Sequence, residues 1–217
     1  MRLVLVGPPG SGKGTQGEML VDRLGLIEIG TGDFLRNAIK LKTPTGLIVE
    51  PLIKQGLLVP DQIVNEVVAE VFRRPDRPEK FVMDGYPRTL AQAVAFDALL
   101  TQQFLNLDAV VNLTISDEEV VRRISGRRCC TNSGCAICFN VYHRPPKVEN
   151  VCDKCGAPLM IRSDDKEETI RRRLQEFHKN TDALLEHYDK KGLLRNIPAT
   201  DPPETIYANM VKAIRGG

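Results

Sequence analysis

The stretch Gly7-Pro8-Pro9-Gly10-Ser11-Gly12-Lys13-Gly14-Thr15, set directly behind the apolar run Leu3-Val4-Leu5-Val6, constrains this chain more than any other feature. A short apolar run closed by glycine and proline reads as a strand buried on both faces. After Lys13, the apolar Met19, Leu20, Val21 and Leu24 followed by Gly25 read as a helix with its stop. Strand, glycine-rich loop and helix in that order make an anion cradle. Glycines let backbone N–H groups turn inward without Cβ clashes, and the helix N-terminus adds partial positive charge. Lys13 supplies a full charge for β- and γ-phosphates. The usual motif has Ser or Thr directly after Lys; here Gly14 intervenes, which weakens Thr15 as a metal neighbour.

The rest of the chain fits the same architecture. Leu26-Ile27-Glu28-Ile29, Phe81-Val82-Met83, Ala109 to Ile115 and Leu193 to Ile197 read as further strands. Helical patterns run over Asp61 to Phe72, Leu90 to Leu100, Asp117 to Ile124, Lys166 to Tyr188 and Pro203 to Ile214. Strands alternating with helices predict a doubly wound parallel sheet, the α/β class, covered on both faces. Ligands gather beyond the carboxyl ends of such strands. The loops after the first three strands carry the phosphate loop, Thr31-Gly32-Asp33 with Arg36, and Asp84-Gly85-Tyr86-Pro87-Arg88 with Gln92, so one shared crevice is expected. Arg36 and Arg88 suit bidentate phosphate binding, and Asp84 suits a magnesium-bound water.

From Gly126 to about Asp164 the composition shifts to Cys, Pro, Asn and Gly without helical periodicity, predicting a small inserted unit held by something other than a core. All six Cys lie between Cys129 and Cys155. Cys135-x-x-Cys138 and Cys152-x-x-Cys155 have the spacing of a tetrahedral zinc site, so Cys135, Cys138, Cys152 and Cys155 are the expected ligands. Cys130 competes with Cys135 for the first place by its nearness to Arg128, and His143 is a further donor nearby. Cys129 and Cys130 are then left as spare thiols, a strand pair or an oxidation liability.

The chain has 217 residues, 42% hydrophobic and 27% charged, with net charge +2. That length fits one core domain with a small insertion. Balanced charge argues against a general nucleic-acid coat. Met1 leads directly into the first strand without a signal-peptide pattern, and no apolar run approaches a membrane span, so a cytoplasmic protein is expected. Two other function classes compete. A zinc-knuckle nucleic-acid module would use Arg127, Arg128, His143 and Arg144, but no Trp and 5% aromatic residues leave it without stacking platforms. A redox switch through the C-x-x-C pairs is the other.

Gly7 to Thr15, Thr31-Gly32-Asp33 with Arg36, Gly56-Leu57-Leu58-Val59-Pro60-Asp61, Asp84 to Arg88 with Gln92, Gly126-Arg127-Arg128, and Arg162-Ser163-Asp164-Asp165 with Arg173 together resemble the bacterial adenylate kinases of the long, lid-bearing type. The similarity covers nearly the whole chain. It implies a P-loop core over 1–29, 60–125 and 165–217, a helical monophosphate-binding segment over 30–59 and a zinc-binding lid over 126–164. It implies the magnesium-dependent reaction ATP + AMP ⇌ 2 ADP, with a CMP, UMP or GMP kinase as the sibling alternative; a monomer is expected on a separate ground, that no spare apolar surface motif is visible in the sequence. Thr31, Arg36, Leu57, Val59, Gly85, Arg88 and Gln92 would line the AMP site, joined at the phosphates by Arg162 and Arg173. Lys13, Arg88, Arg127, Arg162 and Arg173 would surround the transferred group. Gly10, Ser11, Gly12, Lys13, Gly14 and Thr15 would hold ATP phosphates, with Arg123, Arg127, Val141, Tyr142 and a backbone contact near Ala199 and Thr200 at its other parts. Asp84, with Asp33 beside it, would organise magnesium through water. The family's lid has one Cys shortly after Gly-Arg-Arg and a second four residues before Tyr-His; Cys138 matches the second, and the stretch before it is lengthened here.

Overall fold

The computed structural model describes residues 1–132, 134–135, 137–162 and 165–216. The chain runs β1 (Arg2–Val6), α1 (Lys13–Leu24), β2 (Ile27–Gly30), α2 (Thr31–Lys40), α3 (Pro44–Lys54), α4 (Asp61–Arg73), β3 (Phe81–Asp84), α5 (Leu90–Gln102), β4 (Ala109–Thr114) and α6 (Asp117–Ser125). A small unit with β5 (Arg127–Cys130), β6 (Cys138–Asn140) and β7 (Leu159–Met160) follows, then α7 (Glu167–Lys190), β8 (Leu194–Pro198) and α8 (Pro203–Arg215).

The main sheet has the order β2-β3-β1-β4-β8, and every neighbouring pair is parallel. Side-chain alternation along β1 divides the core. Val4 and Val6 point to the face where Phe72, Phe96, Leu184 and Tyr188 of α4, α5 and α7 pack. Leu3 and Leu5 point to the other, with Leu20 of α1 and Ile206 and Met210 of α8. On the first face, edge-on aromatic rings lock β3 to two helices, with the Phe81 centroid 5.1 Å from that of Phe72 of α4 and 6.3 Å from that of Phe96 of α5. The strand order reverses around β1, which puts the loop after β1 at the topological switch point.

The expected strands and long helices differ from the observed ones only at their ends. Residues 30–59 fold as α2 and α3 with their flanks. The position of α3 is obscured in the sequence by Pro44, Gly46 and Pro51. Pro44 sits in the first turn, where a missing N–H costs nothing, and Thr43 caps the helix by accepting from the Gly46 N–H at 3.1 Å. The inserted unit does have a core, contrary to expectation. Its strands pair antiparallel in the order β6-β5-β7, and Cys130, Phe139, Cys152 and Leu159 bury against one another. Strands of two to four residues such as Arg127-Arg128-Cys129-Cys130 carry too little alternation to be read from pattern.

Gly46 is where α3 crosses α2. A Cβ there would fall 2.1 Å from the Ala38 carbonyl oxygen, a backbone atom that cannot swing aside. Gly46→Ala is expected to lower stability by about 1–3 kcal/mol through overpacking, measured by urea unfolding; an unchanged midpoint would show that the two helices separate freely.

Candidate active site

The loop after β1 wraps on itself in the manner a bound polyphosphate requires. Gly10 and Gly12 have φ of +77° and +99°, open to glycine at little cost, and a Cβ on Gly10 would strike Ile124 at 2.8 Å. Lys13 Nζ donates to the loop's own carbonyls, Gly7 O at 2.7 Å and Pro8 O at 2.9 Å. Ser11 Oγ is buried with no hydrogen-bond partner among the described residues, an orphaned polar atom inside the cradle. Burial pushes Lys13 down from 10.5 to about 8; Asp84 opposes the shift, while Arg88, Arg173 and Arg127 add to it. The structure thus brings Lys13, Asp84, Arg88, Arg127 and Arg173, five of the expected residues, into one electrostatic neighbourhood.

Arg127 forks onto the fully buried carboxylate of Asp165, with Nε 2.9 Å from Oδ2, and Arg173 approaches the same group at 4.0 Å. Asp165 was visible in the sequence only as part of an acidic pair; its buried position and its arginine partners were not. Ser163 and Asp164 of that motif lie outside the described residues. Arg162 sits farther along the small sheet, with Nη2 3.2 Å from Cys138 Sγ.

The acceptor-side residues form a second group. Thr31 Oγ1 and Arg88 Nε both donate to Gly85 O, at 3.0 and 2.7 Å. Leu57 is half-buried and Val59 buried on the stretch leading to α4. Arg36 is paired with Asp33 at 2.6 Å, so the carboxylate expected beside magnesium here holds the arginine expected on phosphate. Gln92 is buried: its Oε1 accepts from the Arg88 N–H at 2.7 Å, and its Nε2 donates to Asp61 Oδ1 at 2.7 Å. These bonds use its carbonyl oxygen and one of its two N–H donors. Asp61, which also accepts from Thr89 Oγ1 at 2.9 Å, is the orienting partner; the sequence marked it as a helix start and as part of the Gly56–Asp61 stretch but gave it no role.

The other residues expected to border ATP are spread around α6 and the far edge of the sheet. Arg123 Nε donates to Glu119 at 2.9 Å, the Val141 N–H donates to Gly126 O at 2.9 Å, and the Tyr142 ring fills the space a Gly126 side chain would take. Thr200 is exposed just after Ala199, whose N–H donates to Thr114 O at 2.9 Å.

The sulfurs correct the expected ligand set. Cys130, Cys135, Cys152 and Cys155 place their Sγ atoms within 4.8 Å of one another, while Cys138 is disulfide-bonded to Cys129. The reason is strand geometry. Cys129 and Cys138 are cross-strand partners, so their side chains share one face of the sheet, and Cys130, one residue on, must face the other. Both Cys130 and Cys135, the two alternatives for the first place, therefore join the cluster, and Cys138 leaves it. A tetrahedral zinc with bonds of about 2.3 Å needs sulfurs roughly 3.8 Å apart. Here Cys130 and Cys155 are 3.4 Å apart and Cys135 and Cys152 3.7 Å. The Ala157 N–H and then the Cys130 thiol lower Cys155 to about 7, which favours a thiolate ligand there.

A glycine-rich loop at the switch point of a parallel sheet, with a half-buried lysine and converging arginines, defines a phosphate-loop nucleotide-binding protein. The adenylate kinase family profile matches residues 5–193. The chain is 42% identical over 207 residues to an adenylate kinase of Archaeoglobus fulgidus, covering 95% of this chain and 94% of the relative. It is 43% identical over 215 residues to that of Carboxydothermus hydrogenoformans, covering 99% and 100%, and 46% identical over 194 residues to that of Caldicellulosiruptor bescii, covering 89% of each. The chain belongs to the adenylate kinase family.

Lys13 carries a pH signature. An anion placed on its ammonium favours the charged form, so above about pH 8 binding must take up a proton. Affinity for inorganic tripolyphosphate is expected to fall by up to about tenfold per pH unit above that point, with proton uptake seen by calorimetry in two buffers. For folding without a ligand, the depressed value costs stability below pH 8, and the cost is relieved as pH rises from 8 toward 10.5. A pH-independent affinity in Lys13→Met alone would support the assignment; the same slope in that variant would remove it.

Proposed function

We infer that this chain moves the terminal phosphoryl group of ATP to AMP, in the reaction ATP + AMP ⇌ 2 ADP. The convergence of Arg88, Arg127 and Arg173 on the half-buried Lys13 of the phosphate loop carries this reading, and the family membership supports it. Phosphoryl transfer asks for alignment and for compensation of charge on oxygen; the attacking AMP phosphate is already an anion, so no general base is required. Lys13 and the loop N–H groups hold the ATP phosphates. Arg36 and Arg88 hold the AMP phosphate, which requires Arg36 to leave Asp33. Arg127, Arg162 and Arg173 complete the positive shell. Thr31, Leu57, Val59, Gly85 and Gln92 enclose the AMP base and sugar, and Arg123, Val141, Tyr142 and Thr200 border ATP. Asp84 offers the oxygen chemistry that suits magnesium bound through water, and magnesium supplies further charge compensation when present.

The unit 126–164 acts as a lid and 30–59 as a second cover, both closing over 1–29, 60–125 and 165–217 to exclude water, a competing acceptor. Cys130, Cys135, Cys152 and Cys155 hold a structural zinc that reinforces a unit with a very small core. Among the described residues no helix is long and apolar enough to cross a membrane, and we place the enzyme in the cytoplasm as a monomer.

Purified protein with ATP and magnesium is expected to form diphosphate with AMP and only slowly with GMP, CMP or UMP. Preference for another monophosphate would keep the class and replace the acceptor; no transfer to any would reject the function. Arg88→Ala should lower turnover by about 100-fold or more, as for loss of one transition-state donor. For the metal, elemental analysis is expected to find zinc retained by Cys138→Ser and lost by Cys130→Ser. The reverse pattern would restore the ligand set read from spacing.

A further inference from the structure

The Cys129–Cys138 pair lies outside the metal-binding set and beside an arginine assigned to phosphate. Cys129 and Cys138 stand directly opposite on β5 and β6. The Cys130 N–H bonds to Ile137 O at 2.9 Å, which marks the 129–138 position as the non-hydrogen-bonded, closely spaced kind. Their Cα atoms are 4.1 Å apart. On its other side Cys129 is paired with Met160 of β7, two residues before Arg162. Arg162 Nη2 then reaches Cys138 Sγ at 3.2 Å. Cys129 is buried and Cys138 half-buried, so an incoming thiolate meets Cys138 first.

We propose that Cys129 and Cys138 form a reversible thiol–disulfide site on the face of the small sheet away from the metal-ligating sulfurs, and that its state sets how firmly Arg162 is held on that sheet. A small dithiol opens the bond: its thiolate attacks Cys138 Sγ, the Cys129 sulfur leaves, and the dithiol's second thiol displaces the mixed disulfide at Cys138. Two electrons and two protons pass to the cysteine sulfurs, and the dithiol ends as its cyclic disulfide. In the closed state the Cys138 sulfur is a weak acceptor. Once opened, it is a separate thiol that turns about its own side-chain bond to meet the Arg162 N–H squarely, and a better-aligned acceptor holds the donor more strongly. Arg162 is then retained on the sheet when it should move to phosphate. The effect on turnover rests on the assignment of Arg162 to the transferred group.

The test uses zinc-loaded full-length protein with oxidised or reduced dithiothreitol. Peptide mass mapping reports the 129–138 link, elemental analysis reports zinc, and the coupled assay reports kcat. The expected result is a link that opens with zinc retained, and a kcat that falls about fivefold on opening, the scale of one hydrogen bond, and recovers on reoxidation. Cys129→Ser, which leaves a thiol against Arg162, should be slow in both conditions; Cys138→Ala, which removes it, should be fast in both, its zinc content certifying the fold. No link after oxidation, a kcat indifferent to opening, or equal rates for the two variants would overturn the proposal. Undiminished turnover in Arg162→Ala would instead strike the phosphate assignment of Arg162, and the predicted change in kcat with it, while the mapping would still report the link.

Discussion

The site depends on holding like charges together before any substrate arrives. Arg88, Arg127 and Arg173 all press on Lys13 at the carboxyl end of β1. Each already holds a local partner that phosphate would replace under the proposed function: loop carbonyls for Lys13, Gly85 O for Arg88, and the buried Asp165 for Arg127 and Arg173. Phosphate binding is therefore an exchange of partners, so its net gain is far smaller than a count of contacts implies. The sheet makes the exchange possible. Cores on both faces fix the strand ends, and the loops only have to rearrange side chains over a rigid base.

That division explains what was legible in the sequence. The phosphate loop could be read because its backbone chemistry is local: glycines, a lysine and a helix start in fixed order. The five strands of the main sheet could be read because buried parallel strands are short apolar runs between turn signals. Arg36 and Arg88 could be placed near one crevice because both follow strand ends. Their partners could not be foreseen. The capture of Gln92 by Asp61 joins residues 31 apart in sequence, and the hold of Asp165 on Arg127 spans 38. Such pairings are decided by packing and leave no periodic trace. α3 was masked by its own prolines, which are tolerated where a first turn or a solvated face forgives the missing donor.

The cysteines show a different kind of limit. Two C-x-x-C spacings looked alike, yet one is a true pair and the other is not. A spacing rule assumes that both thiols of a knuckle point to one side. Cys138 lies on a strand and obeys strand alternation, which turns it toward Cys129; Cys135 lies in the turn before that strand and is free to face Cys152. Secondary structure overrode the motif. As a result, two adjacent residues, Cys129 and Cys130, serve two separate sulfur groups on opposite sides of one short strand.

The stretch between Cys130 and Cys135 is longer than a tight knuckle needs. Its near end is pinned by β5 pairing with both neighbours, and its far end by the sulfur cluster and the start of β6. Lengthening a closed loop costs only about 0.6 kcal/mol per doubling. Residues can therefore be gained or lost there over evolutionary time without moving Arg127 at the opposite end of the strand, leaving this turn as a place where descendants of one ancestor can drift in length while the chemistry beneath stays put.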